Sequence, residues 1–346
     1  MKSVCITGVL AIMLACTRTA TEDAAPRLVF EPVCSLQENM SLTGNIYSFA
    51  IIDSSSFVVS SRGDDNPLII YGMDGRQRRI IGRHGKARYE YINPAIIKVK
   101  DDKLYVWCDM LTKFIVYGLD GTPLAEFRYS SAIRDFIPYK DKIVIYGGSN
   151  PGGSIISIYD TLTQTIVKTT GIQSQEHSLL AVNHLPSPFC IDDDTLYYSP
   201  IDKICIRKLS LLNDGLDMIE LAIDPESFEV SHLRDHDIMN KNRGKAFRYL
   251  NENSSVIGLQ VIDTLFAVKT VEGTLDADFR EVKNIDRHYS MYFIDRESGR
   301  YIQSVQSLES VYDPVLSDFY GNTFYQVNNT VADSKDNYSV CSLKYR

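Results

Sequence analysis

The feature that most constrains this chain is a repeated strand–turn–strand motif with an acidic turn. It reads FAIIDSSSFVVSS at 49–61, IIKVKDDKLYVWC at 96–108 and DFIPYKDKIVIYG at 135–147. It recurs as PFCIDDDTLYYS at 188–199, GLQVIDTLFAVKT at 258–270 and VLSDFYGNTFYQV at 315–327. Each copy joins two short runs rich in Ile, Val, Tyr and Phe, which favour the pleated backbone of strands. A second strand–turn–strand motif follows each of the first five copies, at 68–81, 114–127, 156–168, 205–221 and 291–305. Asp74-Gly75 and Asp120-Gly121 mark two of its hairpins, because glycine accepts the positive φ such turns need.

Each unit therefore carries four antiparallel strands, A to D, and the first three recur at roughly 40–46 residues, the spacing of propeller blades. The sixth unit has A and B, then a C strand at 338–343, and the chain ends before a D strand. Residues 27–34, RLVFEPVC, form a spare strand at the other end. Adding it to the sixth unit closes the ring and removes an exposed sheet edge. The expected fold is all-β, a six-bladed β-propeller of four-stranded antiparallel blades with the last blade closed by the N-terminal strand. A seven-bladed ring and a pair of sandwiches are the alternatives. No helix is expected before residue 225.

Composition excludes several classes. The 346 residues include 21 Tyr, 14 Phe and 1 Trp, far too many aromatics for a solvated coil. With 36 basic and 44 acidic residues the net charge is −8, which argues against a nucleic-acid binder, since that needs a basic face. The one long apolar run is Val4 to Ala15, behind Lys2; it is too short to span a bilayer and has the form of an export signal. It ends in Met13-Leu14-Ala15-Cys16. That tetrad resembles the lipobox of bacterial lipoproteins, which implies cleavage before Cys16 and acylation of its thiol. A plain secretory peptide cut near Ala20 or Ala25 is the alternative. The division expected is a signal peptide at 1–15, a linker at 16–26 and the propeller at 27–346. The resemblance implies an outer-membrane or other envelope address, lipid-anchored, with the periplasmic or surface face left open. It resembles Bacteroidetes lipoproteins in particular, although Thr17-Arg18-Thr19 replaces the acidic run those proteins use for surface export.

Five cysteines follow Cys16: Cys34, Cys108, Cys190, Cys205 and Cys341. No CxxC occurs and no zinc spacing accompanies them. Cys34 and Cys341 fall on the two strands paired in the sixth unit, in reach of a disulfide if the register aligns them. Two half-buried thiols out of register is the other reading.

Gly82-Arg83-His84-Gly85 followed by Glu90-Tyr91-Ile92-Asn93-Pro94 is similar to the G-x-x-G…E-F-x-x-P motif of NHL-type six-bladed propellers. With the lipobox and the length, the chain resembles the TolB-like six-bladed propeller lipoproteins. The resemblance implies a fold and an address, and no settled activity.

The chemistry is sparse. In a propeller the longer B–C and D–A connections share one face, which carries function around the channel mouth. The longest, 224–255, has helical spacing. His232 and His236 stand at i, i+4, yet the Glu of a metalloprotease helix is missing, and a solvated helix face accounts for them equally. Asp53, Asp101, Asp102, Asp141, Asp193 and Asp263 sit in A–B turns on the opposite face, where turn formation accounts for them. No cofactor or metal is expected. The anomaly is six cations in thirteen residues, Arg76 to Arg88. Of these, the D–A loop supplies the candidate ligand-binding residues Arg83, His84, Arg88, Tyr89 and Tyr91, whose forks and rings suit carboxylates, phosphates or sugars. The expected role is a monomeric, envelope-tethered binding or scaffold module for a protein or an anionic glycan. A lactonase or lyase is the alternative, and it would require three or more carboxylates converging in the channel.

Overall fold

The computed structural model describes residues 28–36, 45–62, 67–148, 152–183, 187–212, 221–222, 228–233, 238–273, 289–308, 316–321, 323–329 and 338–345. Strand β1 (Leu28–Ser35) comes first and is used last. The first blade is β2 (Asn45–Asp53), β3 (Ser56–Arg62), β4 (Leu68–Gly72) and β5 (Gln77–Ile81). The second is β6 (Pro94–Lys100), β7 (Lys103–Cys108), β8 (Lys113–Gly118) and β9 (Pro123–Arg128). The third is β10 (Ile133–Tyr139), β11 (Lys142–Gly147), β12 (Ser154–Asp160) and β13 (Thr165–Ile172). The fourth is β14 (Phe189–Asp192), β15 (Thr195–Tyr198), β16 (Cys205–Ser210) and β17 (Leu221–Ala222). The fifth is β18 (Ser255–Ile262), β19 (Leu265–Val271), β20 (Tyr289–Asp295) and β21 (Tyr301–Leu308). The sixth joins β22 (Ser317–Tyr320), β23 (Thr323–Asn329) and β24 (Tyr338–Tyr345) to β1. Every neighbouring pair is antiparallel, so this is the expected six-bladed ring with a mixed-terminus closing blade.

The core lies between blades. In β4, Leu68 and Ile70 face the second blade while Ile69 and Tyr71 face the sixth. A strand buried on both faces reads as a continuous apolar run, which explains LIIY. Six apolar clusters result, one at each blade–blade contact. The chain's single Trp, Trp107, packs against Phe114 between the second and third blades, with ring centres 4.7 Å apart and planes tilted by 49°. The A–B turns are tight because Asp101, Asp102, Asp193 and Asp263 adopt positive φ, and Asp53 Oδ1 accepts the Ser55 N–H at 2.7 Å.

One expectation is corrected. A helix does precede residue 225: α1 (Gln175–Asn183) fills the D–A connection between the third and fourth blades. Residues 177–181 are buried in succession, so the segment lacks the spaced apolar positions that reveal a surface helix. Ser174 Oγ caps it by accepting the His177 N–H at 2.8 Å. The insertion at 224–255 holds the helices expected there, α2 (Ile238–Lys241) and α3 (Arg243–Glu252). Cys34 and Cys341 follow the other reading, two half-buried thiols out of register. They lie on paired strands, but a bulge offsets the register, so Cys34 faces Val340 and Cys341 faces Pro32. Both are free thiols, as are Cys108, Cys190 and Cys205.

Candidate functional site

The innermost strands of all six blades wall a central cavity of about 260 Å³. Phe49, Ile96, Val99 and Leu259 supply apolar parts of its wall, and polar groups make up about as much of it. Charge enters at a few positions. Lys98 stands on β6, Arg134 and Asp135 on β10, and Asp318 on β22. Lys269 belongs to β19, a second strand, and reaches the cavity past Gly258 of β18. A Cβ on Gly258 would stand 3.1 Å from Lys269 Cδ, so the glycine leaves room for the lysine stem. Lys100 completes the charged lining among the described residues. Four cations thus accompany two carboxylates.

Both carboxylates hold parts of the fold. Asp135 Oδ2 pairs with Lys98 Nζ at 2.9 Å, and Oδ1 accepts the Phe136 N–H at 2.8 Å. The Ser187 hydroxyl also donates to Asp135. Asp318 Oδ2 accepts the Ile51 N–H at 2.8 Å, tying the sixth blade to the first. Burial opposes the Lys98 charge, but Asp135 and Asp318 outweigh it and hold its pKa above the ordinary value. Lys269 goes the other way. Burial, reinforced by the Lys98 charge and opposed by Asp318, holds its amine well below the ordinary value. Its Nζ lies 3.6 Å from the centre of the Phe324 ring. Arg134, Asp135 and Asp318 fall near the starts of their strands and Lys269 near the end of its own, so the charged groups cluster toward the face of the D–A and B–C connections.

The same face carries the loop in which the sequence placed ligand binding. The loop closes on itself. Arg83 Nε donates to Glu90 Oε1 at 2.7 Å, Gly85 N donates to the Tyr91 carbonyl at 2.9 Å, and Tyr91 N to the Arg83 carbonyl at 3.1 Å. The Ala87 N–H and the Arg83 guanidinium hold the Glu90 carboxyl below the usual carboxylate range. Tyr91 is 1% exposed; its hydroxyl donates to the Ile81 carbonyl at 2.8 Å and accepts the Leu68 N–H at 3.2 Å. Gly82 is required here, because its φ is +66° and a Cβ would come within 2.7 Å of the Tyr91 and Tyr117 rings. Tyr89 is half-buried at φ +60°, its N–H held by Glu126 at 2.6 Å and its carbonyl by the Tyr117 hydroxyl at 2.6 Å. Arg88 lies 4.6 Å over the Tyr89 ring; it and His84 are exposed. The structure thus gathers the five candidates in one loop, with Tyr91 inside the core and Arg83 engaged by Glu90.

Of the remaining candidates, His232 Nδ1 lies 3.0 Å from Glu176 of α1. His236 and Cys16 are outside the described residues. Among the described residues no three His, Cys, Asp or Glu side chains form a metal-binding group, and no helix is long and apolar enough to cross a membrane.

Over residues 37–313 the sequence matches the DUF5128 family, described as a 6-bladed beta-propeller. The chain belongs to the DUF5128 family. Two solved Bacteroides structures share this DUF5128 fold. A DUF4221-family member from Bacteroides vulgatus is 9% identical, with a TM-score of 0.67 and coverage of 93% of this chain and 98% of its own. A candidate exported protein from Bacteroides fragilis is 12% identical, with a TM-score of 0.59 and coverage of 94% and 96%. At such identities the likeness is one of fold. No curated protein matches the sequence.

The charged channel of this DUF5128 propeller escaped the sequence reading, which looked for function in long loops. The available signal was a charged residue inside an apolar inner strand: Lys98 in AIIKVK, Asp135 ahead of FIPY, Asp318 in VLSDFY. Lys269 in FAVKTV, with Gly258 on the neighbouring strand, is the subtler form of it.

Proposed function

We propose that this protein is an envelope-tethered lipoprotein of the TolB-like, NHL-like kind, whose propeller binds a protein or anionic glycan partner at the face where its channel opens. The tether rests on the short apolar run ending in Leu14-Ala15-Cys16, and the exported Bacteroides fragilis neighbour supports an envelope address. The observation that carries the binding role is the channel itself. Inner strands from all six blades converge on a cavity lined, among the described residues, by four cations and two carboxylates, beneath a face that also bears α1, α3 and the exposed Arg88. A lactonase or lyase would use its channel carboxylates for chemistry; Asp135 and Asp318 are instead occupied by backbone N–H groups and Lys98.

The test has two arms. Cys16→Ser should move the protein from the membrane to the soluble fraction, or leave an uncleaved precursor, and should abolish fatty-acid labelling. Cross-linking in intact envelopes should then join partner material to the D–A and B–C face. Unchanged membrane partition and labelling would remove the tether, and cross-links confined to the A–B face would remove the binding face.

A further inference from the structure

We propose that the cleft between the fourth and fifth blades binds a small zwitterion, an amino acid or dipeptide with an apolar side chain, its carboxylate held by Lys208 and its ammonium group by Glu297. Asp263 and Thr264 of an A–B turn and Asp295 to Glu297 of a C–D turn line this cleft, so it opens on the face opposite the channel mouth. The site therefore stands independently of the tether and of the docking face.

The first support is a lysine in a core position. In each of the first five blades the third residue of the second strand pairs with one residue of the third strand. The pairs are Val58 with Ile70, Tyr105 with Val116, Val144 with Ile158, Tyr197 with Lys208 and Ala267 with Phe293. Ile70, Val116, Ile158 and Phe293 are all buried, at most 8% exposed, and pack toward the next blade. The fourth blade puts the half-buried Lys208 there instead, and a cavity of about 470 Å³ opens beside it. An amine in place of an aliphatic or aromatic side chain gives up apolar burial and sets a charge in the blade contact. The residue that breaks the packing rule of its fold is the one expected to serve a ligand.

The second support is a pair of opposite charges that line this cavity without meeting. Arg296 is already engaged: its guanidinium pairs with Asp192, donates to the Tyr197 hydroxyl at 3.0 Å and lies 5.1 Å from the centre of that ring. Asp295 is engaged as well, its Oδ1 accepting the Ser298 N–H at 2.7 Å. The side chains of Lys208 and Glu297 have no ion pair or hydrogen bond among the described residues, with each other or with any other group. Opposite charges in direct reach would pair, so these two flank the cavity rather than touch. A ligand with one negative and one positive group satisfies both. A simple anion would also face Asp263, Asp295 and Glu297, and a simple cation would also face Lys208 and Arg296.

The third support is size and wall. At about 470 Å³ the cavity falls within the usual ~300–1,000 Å³ of ligand pockets. Tyr197, Ile206 and Phe266 line it between the charges, the two rings edge to face with centres 5.0 Å apart. That wall suits an apolar side chain carried by the ligand. The rim is already built: Arg296 N donates to the Thr264 carbonyl at 2.9 Å, joining the two turns of the fifth blade, and the Arg296–Asp192 pair ties them to the fourth. A rim fixed in advance costs a ligand little ordering on binding.

Calorimetric titration of the full-length protein in detergent tests this with two probes, phenylalanine and alanyl-phenylalanine. At least one should bind saturably below about 10 mM and raise the melting temperature. The tighter of the two fixes the spacing of the charges, and it is then compared with its N-acetylated form, which lacks the ammonium group, and its C-amidated form, which lacks the carboxylate. Each blocked form should bind roughly tenfold or more weakly. Lys208→Met, which restores an apolar chain where four other blades carry one, should stay folded and weaken binding of the zwitterion by roughly tenfold or more. Should that variant fail to fold, Glu297→Gln on the exposed turn carries the same expectation. The proposal is overturned if neither zwitterion binds in that range, if either blocked form binds as tightly as the zwitterion, or if the folded variant binds as tightly as wild type. None of those results would touch the tether or the envelope cross-links, so the two readings fail separately.

Discussion

Loop 82–91 and the central channel are both rich in cations, yet they use them in opposite ways. In the loop, charge is spent on the loop's own shape. Arg83 clasps Glu90, Lys113 reaches the Ala87 carbonyl at 3.1 Å and Glu126 at 2.9 Å, and Tyr91 anchors the return beneath Ile81. In the channel, Asp135 and Asp318 are tied to backbone N–H groups of the blades, and Lys98 is held across the wall by Asp135. A cluster of like charges in sequence is therefore a poor guide to a site. What matters is whether acids elsewhere fold back onto it, and those acids lie seven to thirty-seven residues away.

The sharpest way to break this contrast is to remove the loop's anchor. Tyr91→Ala deletes a ring that is 1% exposed and strips the Leu68 N–H of its acceptor. The expected cost is about 4–5 kcal/mol in urea denaturation, from the lost aromatic and the stranded donor. A cost below about 1 kcal/mol would mean that Tyr91 is not structural and that the loop is open to ligands after all.

Next in size is the channel acid. Asp135→Ala leaves Lys98 without its 2.9 Å partner and strands the Phe136 N–H. About 3 kcal/mol is expected, the low end for a broken buried pair, because the Lys98 side chain keeps 28% of its exposure and can rehydrate. If Asp135→Ala were neutral, its carboxylate would be free for a ligand or for chemistry, and the division of labour in the channel would fall.

The blades were legible in the sequence because a propeller strand announces itself twice, by β-branched and aromatic runs and by acidic turns. Both strand motifs fall on observed hairpins, and even the closing role of β1 follows from counting strands. The site was much less legible. The charges of the channel come from four separate strands, spread from Lys98 to Asp318, and no local pattern links them. Tyr91 and Arg83 looked like recognition residues because Glu90, Glu126 and Tyr117, which satisfy the loop, are read separately in the sequence. Helix α1 was hidden for a related reason: burial on every side erases the spacing that marks a surface helix.

His177, packed between α1 and the third and fourth blades, makes a pH prediction. It lies on α1, 1% exposed, with its ring 5.9 Å from that of Tyr146. Nδ1 accepts the Ile201 N–H at 3.2 Å, so the neutral ring carries its hydrogen on Nε2, which has no hydrogen-bond partner among the described residues. Burial pushes the pKa down from 6.5 to about 4, against the pull of Asp202 and with help from Arg134 and Arg207. The unfolded chain then binds more protons than the native one between pH 6.5 and 4. Stability is full above 6.5 and falls across that window by up to about 3 kcal/mol. Urea midpoints measured from pH 7 to 4 should fall more steeply for wild type than for His177→Gln. Equal slopes would mean that His177 is charged in the native protein.

The smallest effect on folding should come from Arg83→Ala, and it is the most informative about function. The Arg83 side chain is 80% exposed, and an exposed ion pair contributes little because water and salt screen it. No resolvable change in the urea midpoint is expected, since the Gly85 and Tyr91 backbone bonds hold the loop without it. The double variant Arg83→Ala, Arg88→Ala should likewise leave the urea midpoint unchanged, because both arginines are exposed. The same double variant should lower the yield of envelope cross-links if an acidic partner docks on the rim, and raised salt should lower it in the wild type. An unchanged cross-link yield in the double variant, at low and at raised salt, would mean that the rim arginines serve the loop alone and take no part in docking.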